Sequence, residues 1–193
     1  MIQGVLLAAG ASTRFGADKL RQRLPDGRVI AGASAANLKA AVPRVLAVVR
    51  QGGEELAAIL EASGCTVVYC ERAREGMGES LACAIRATDA ASGWLVALAD
   101  MPWIRPETNA RLAGMLADRG GIVAPIHQGL RGHPVGFDRT YLHALSALAG
   151  DRGARDVIKL NDGALRLLET DDPGVLQDID TPLDLELHLG TLS

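Results

Sequence analysis

Four short, nearly continuous apolar runs constrain this chain more than anything else in it: Gln3–Ala8, Val45–Val49, Thr66–Tyr69 and Trp94–Leu98. They lack the polar alternation of a strand with one wet face, so each is expected to be buried on both sides. Between them lie amphipathic stretches, with Leu56, Ile59 and Leu60, and then Leu81, Ala84 and Ile85, at helical spacing. Arg111 to Ala117 continues a third helix through Leu112 and Leu116, with Pro106 at its start. Such alternation predicts helices on both faces of a mostly parallel sheet, a three-layer α/β/α Rossmann-like fold with its site at the carboxyl ends of the strands.

The second half is less regular. Gly121–Pro125 and Pro134–Phe137 flank a polar loop, His127 to His133, and are expected to pair antiparallel, which makes the sheet mixed. Thr181 is expected to cap a last helix whose first residue is Pro182. With no internal repeat or linker, the 193 residues read as one domain, 1–193.

Composition narrows the function classes. Aromatics are 3% of residues, too few for a base-stacking surface. The net charge of -3 provides no basic footprint, so no nucleic acid is expected as partner. No apolar run reaches the roughly 20 residues of a membrane helix, and Met1-Ile2-Gln3 leads straight into a strand. A soluble cytoplasmic protein is expected, with no membrane partner. Cys65, Cys70 and Cys83 form no CxxC pair and read as small buried hydrophobes.

The most informative stretch runs from Leu6 through Leu7, Ala8, Ala9 and Gly10 to Arg14 and Lys19. Small residues after a buried strand let backbone N–H groups approach an anion, and two cations follow. The same pattern fits a plain strand–helix turn with two solvated cations. It is neither a Walker loop nor GxGxxG.

Asp100 ends an apolar strand and is a ligand-site candidate or a turn former. Asp178 and Asp180 would point the same way if extended, or would simply charge a helix start. Two such carboxylates repel each other without a cation between them. Gly76-Met77-Gly78-Glu79-Ser80 precedes the Leu81 helix as a flexible turn or a ligand loop. His133 sits in a tight loop, and Asp151 and Arg155 are placed for a helical ion pair or for a ligand.

Taken together these segments resemble a known family. Leu-Ala-Ala-Gly-x-Ser-x-Arg-Phe-Gly-x-x-Lys, read here from Leu7 to Lys19, is similar to the signature of the nucleotidyltransferase superfamily. Gly76–Leu81, Ala99–Pro102, Gly132–Val135, Gly150–Arg155 and Asp178–Pro182 follow in the order found in molybdenum-cofactor nucleotidyltransferases, particularly the cytidylyltransferases. The resemblance implies a nucleotide-diphospho-sugar transferase type of fold and a Mg²⁺-dependent transfer of CMP from CTP to the phosphate of molybdopterin, with loss of pyrophosphate. It implies that Arg14 and Lys19 are catalytic. Leu7, Ala8, Ala9, Gly10, Gly78, Ser80 and Asp100 would hold the nucleotide with them, and Asp100 and Asp180 would hold Mg²⁺. Asp178 stands behind that pair. His133, Asp151 and Arg155 would surround the acceptor, whose phosphate Arg155 or Arg131 would grip.

Ala9 bears on the base, since resembling guanylyltransferases more often carry Ala-Gly-Gly there. GTP with the same acceptor, or another phosphorylated acceptor, is the alternative. A non-catalytic carrier delivering the cofactor to a recipient molybdoenzyme is the rival of a different class. Residues 25–34 depart from the family pattern, and the small residues Ala31–Ser34 are expected to reshape a pocket wall or a dimer surface.

Overall fold

The computed structural model describes residues 1–10 and 18–187 and sets the four apolar runs side by side as parallel strands. β1 (Ile2–Leu7) lies between β2 (Val45–Arg50) and β4 (Gly93–Leu98), and β3 (Thr66–Cys70) pairs with β2. Two later strands, β5 (Ile122–His127) and β7 (Val135–Asp138), pair antiparallel as expected, and β7 also runs antiparallel to β4. β5 thereby recovers the direction of the first four, and β8 (Leu165–Glu169) joins it in parallel. The short β6 (Leu130–Arg131) folds back on the end of β5. The sheet is mixed and mostly parallel.

Burial on both faces is visible residue by residue in β1, β2 and β4. β3 lies at the sheet edge and departs from the expectation, with Thr66 and Tyr69 exposed and Val67 and Val68 only half-buried. Leu6 and Val5 of β1 are both fully buried, Leu6 in one core and Val5 in the other. Leu95 and Val96 of β4 divide the same way, as period-two side chains must. α1 (Ile30–Ala41), α2 (Glu54–Ala62) and α4 (Pro106–Arg119) supply the core with Leu6. α3 (Met77–Ala87), α5 (Leu142–Ser146) and α6 (Arg155–Leu160) supply the core with Val5. Each large aliphatic side chain buried this way contributes about 1.5–3 kcal/mol. Among the described residues no helix is long and apolar enough to cross a membrane.

Three local expectations change. Ala31–Ser34 belong to α1 and are neither pocket wall nor outer surface. Ala31, Ala33 and Ser34 are buried, their small side chains letting α1 lie close to α4. Ser34 Oγ donates to the Ala99 carbonyl at 2.9 Å and so ties α1 to the end of β4. The helix after Gly76 begins at Met77, placing Gly78 and Ser80 inside its first turn instead of in a loop before it. At α7 (Pro182–Leu187) the cap is Asp184, whose carboxylate accepts the N–H groups of Asp180 and Thr181 at 2.9 and 2.7 Å. Cys65 and Cys70 are buried and all three cysteines are free. Burial, then the neighbouring Cys70, pushes the Cys83 thiol up to about 11.

One buried carboxylate holds the second half together. Asp172 is 1% exposed and accepts from Arg105 N, Thr108 Oγ1 and Gly174 N at 2.8, 2.7 and 3.0 Å. It joins the start of α4 to the turn Pro173–Leu176, and Val175 of that turn accepts from His133 N at 2.9 Å. Asp172→Asn keeps the volume but turns an NH₂ group toward one of these donors. Stability is expected to fall by about 2 kcal/mol, read as a lower urea midpoint at unchanged slope.

Candidate active site

The site lies where β1, β2 and β4 end. Ala8 N donates to Val48 O at 3.0 Å and Ala99 N to Leu7 O at 3.1 Å, so the chain leaves β1 between its two neighbours. Ala8 and Ala9 are buried and Gly10 is exposed at the mouth. Arg14 lies outside the described residues. Lys19, on the 3-10 turn Lys19–Arg21, is not a solvated loop cation: it is 8% exposed, with Leu20 buried beside it. Its Nζ donates to Asp100 Oδ2 and Asp180 Oδ1, both at 2.9 Å.

Asp180 reaches Asp100 because the backbone between them is clipped. Ile179 N donates to Asp100 O at 3.0 Å, and the Ile179 side chain is fully buried in the core. Alternation along the extended chain then sends Asp178 and Asp180 to the other side. Ligand oxygens of Asp100, Asp178 and Asp180 lie within 4.8 Å of one another. Partial desolvation, followed by the Asp180 and Asp100 charges, pushes the Asp178 carboxyl up. Burial works to lower the Lys19 pKa, but Asp100 and Asp180 outweigh it and hold the ammonium above its ordinary value. The carboxylates therefore do not face each other uncompensated, as sequence reasoning supposed, because Lys19 sits between two of them. Three hard oxygens this close suit a small divalent cation.

Two chambers open on either side of Asp100, with Leu7, Met77 and Leu98 also common to both. One, of about 610 Å³, is bounded by Ala9, Gly10, Arg50, Arg74, Ser80 and Asp151. The other, of about 540 Å³, carries Arg131, His133, Arg152 and Arg155 over an apolar floor that includes Val135 and Phe137. Of the residues grouped around an acceptor, His133 and Arg155 share the second chamber, while Asp151 lines the first. The Asp151–Arg155 helical pair is replaced by Arg152–Asp156, at 2.9 Å. The buried His133 Nδ1 has no hydrogen-bond partner among the described residues. Burial first, then Arg131 and Arg155, lowers its pKa, with Asp100 opposing.

Gly78 faces away from both chambers. A Cβ there would lie 2.7 Å from Ala149 O and 2.9 Å from Gly150 O, and Gly78 N donates to Gly150 O at 2.7 Å. It lets α3 press against the loop that carries Asp151 and Arg152. Gly78→Ala must push that backbone away, at a cost of about 1–3 kcal/mol. A lower melting temperature is expected, together with weaker binding in the Arg152–Arg155 chamber; an unchanged melting temperature would contradict this packing.

Sequence reading missed Arg50, Arg74 and Arg152 as chamber residues and set Asp178 outside the acidic group. The position of Arg50 at the carboxyl end of a parallel strand was the available signal. Arg74 and Arg152 carried none.

Known proteins resemble this chain in sequence and in fold. Residues 4–168 match the family described as the MobA-like NTP transferase domain. The chain is 29% identical to the purine catabolism protein PucB of Bacillus subtilis (strain 168), over 95% of this chain and 94% of that one. It is 28% identical to the nicotine blue oxidoreductase of Paenarthrobacter nicotinovorans, over 93% and 92%. Rv0371c of Mycobacterium tuberculosis H37Rv, solved as a complex with manganese, superposes with a TM-score of 0.81 at 26% identity, covering 98% of this chain and 97% of that one.

Proposed function

From the premise that this chain belongs to the MobA-like NTP transferase family, we propose that it transfers a nucleotidyl group from an NTP to the phosphate of a second substrate. The observation that carries this reading is Lys19, held beside Asp100, Asp178 and Asp180 where the two chambers meet. The Ala9–Ser80 chamber takes the nucleotide, with the backbone at Leu7–Gly10 and Lys19 at its phosphates, and the family resemblance adds Arg14 as a second cation for them. The other chamber takes the acceptor, its phosphate gripped by Arg131 and Arg155. An acceptor phosphate oxygen forms the new bond to the α-phosphorus as the α–β bridging bond breaks, and pyrophosphate leaves with that electron pair. The attacking oxygen is already anionic, so no general base is needed.

Lys19 stabilises the charge that spreads over the phosphate oxygens, its backbone anchored next to them by buried Leu20. A Mg²⁺ held by Asp100, Asp178 and Asp180 would neutralise further charge on the same oxygens. Asp100, common to both chambers, fixes the distance between the two bound substrates.

Two bases suit the nucleotide chamber. Its volume of about 610 Å³ admits a purine nucleoside, and this guanylyl reading is the one a MobA-like chain supports first. Ala9, whose methyl stands at the chamber wall, favours cytosine and supports the cytidylyl reading. The acceptor is assigned as molybdopterin, on the resemblance of Gly132–Val135 and Gly150–Arg155 and on the cationic rim over an apolar floor. A carrier that only delivers a cofactor has no use for a cation-bridged carboxylate cluster. The oxidoreductase among the relatives belongs to another reaction class, and the same cluster is what favours transfer here.

The test is pyrophosphate release with each NTP, Mg²⁺ and isolated molybdopterin. Turnover of GTP at least about tenfold above CTP in kcat/KM is expected, a difference of about 1.4 kcal/mol at the transition state. The opposite ratio moves the assignment to CTP; no release with any NTP removes molybdopterin as the acceptor, and no release with any phosphorylated acceptor overturns the transferase reading.

A further inference from the structure

We propose that Lys19 is the built-in cation of the acidic cluster, so that a divalent ion settles on the carboxylates only together with a nucleotide that draws the lysine away. This rests on the transferase reading for the identity of the nucleotide, but its test does not require turnover.

The ammonium is 2.9 Å from one oxygen of Asp100 and 2.9 Å from one of Asp180. These are two of the three groups whose oxygens cluster within 4.8 Å, so Nζ is bonded to two of the groups an ion would bridge. Oxygen ligands approach Mg²⁺ to about 2.1 Å. A dication at that distance from Asp100 and Asp180 would be pressed against the ammonium, and the two like charges would repel at close range. Either the ion stays out or Lys19 leaves.

Lys19 can leave without unfolding its surroundings. Its backbone is anchored by the 3-10 turn and by buried Leu20, while the charge rides on a flexible four-carbon stem. Away from the carboxylates, however, the ammonium needs another anion. Asp100 also borders the nucleotide chamber, so phosphates placed there lie next to the lysine head. The nucleotide thus provides both the destination for Lys19 and, through its own oxygens, further ligands for the ion. Metal and nucleotide arrive as one unit, and until then Lys19 bridges Asp100 and Asp180. Arginine at position 19 would keep the charge and so the exclusion. A neutral side chain would abolish it.

The experiment measures Mn²⁺ binding alone, by loss of the free-ion electron paramagnetic resonance signal, to the purified wild-type chain and to Lys19→Met, Lys19→Gln and Lys19→Arg. Both neutral variants are expected to bind Mn²⁺ without nucleotide at least roughly tenfold more tightly than wild type, while Lys19→Arg stays as weak as wild type. Adding Asp100→Asn to Lys19→Met should abolish the gain, which places the ion on this cluster. Melting curves provide a second readout: Mn²⁺ alone should raise the melting temperature of the neutral variants and leave wild type unmoved. The proposal is overturned if neutral variants bind Mn²⁺ no better than wild type, or if the gain survives loss of Asp100. Failure of the transferase reading would look different, as absence of pyrophosphate release with Mn²⁺ affinities still ordered by the charge at position 19.

Discussion

Lys19→Ala lowers kcat by about 10²–10³, the expected effect of deleting one charge that stabilises a developing anion. The side chain reaches from a turn after β1 to the ends of two distant segments, and nothing else among the described residues places an ammonium between Asp100 and Asp180. Steady-state kinetics with saturating nucleotide separates this effect from binding, because a lost transition-state contact lowers kcat and kcat/KM together. Stability moves as well. The variant removes the ammonium that bridges Asp100 and Asp180 in the acidic group, so its melting temperature falls at neutral pH and recovers when Mg²⁺ is added. Normal turnover with a lowered melting temperature would make Lys19 a structural residue only.

Asp100→Asn is expected to cost still more, about 10³ in kcat/KM, because it removes the charge of the one candidate ion ligand that borders both substrate chambers and is the acidic group's most buried member. The amide keeps the size of the side chain and the backbone bond from Ile179 to Asp100 O, so the protein folds and the loss is chemical. Asp180→Asn is milder, about 10–100-fold, since Asp180 lies at the outer side of the cluster and is the more exposed partner, 47% against 23%. Titrating Mg²⁺ in the presence of nucleotide discriminates the two: Asp100→Asn shifts the half-saturating concentration further than Asp180→Asn. Equal and small shifts would remove the carboxylates from the metal site.

The fold was legible wherever burial is two-sided. Val5 and Leu6, or Leu95 and Val96, are apolar in succession because each has a core of its own to fill. β8 was not legible, since Leu165–Glu169 mixes Arg166 and Glu169 with leucines at an exposed edge, a pattern that also suits a loop. α1 was missed for the opposite reason: Ala31, Ala33 and Ala35 carry too little hydrophobic contrast to mark a face, though all are buried. At the site, Asp100 and Lys19 were visible from strand end and motif. Gly78 was misplaced because a glycine beside a helix start looks the same whether it admits a ligand or a neighbouring backbone.

Local pattern therefore determined the layers, the direction of the central strands and the residue types at their carboxyl ends, because apolar succession and strand termini act over a few residues. Only the tertiary structure decided that Lys19 bridges Asp100 and Asp180, which lie 81 and 161 positions away. That contact depends on Ile179 being buried and bonded to Asp100 O. Charge interactions follow distance in space and not in sequence, and that distance is set by packing the whole chain at once.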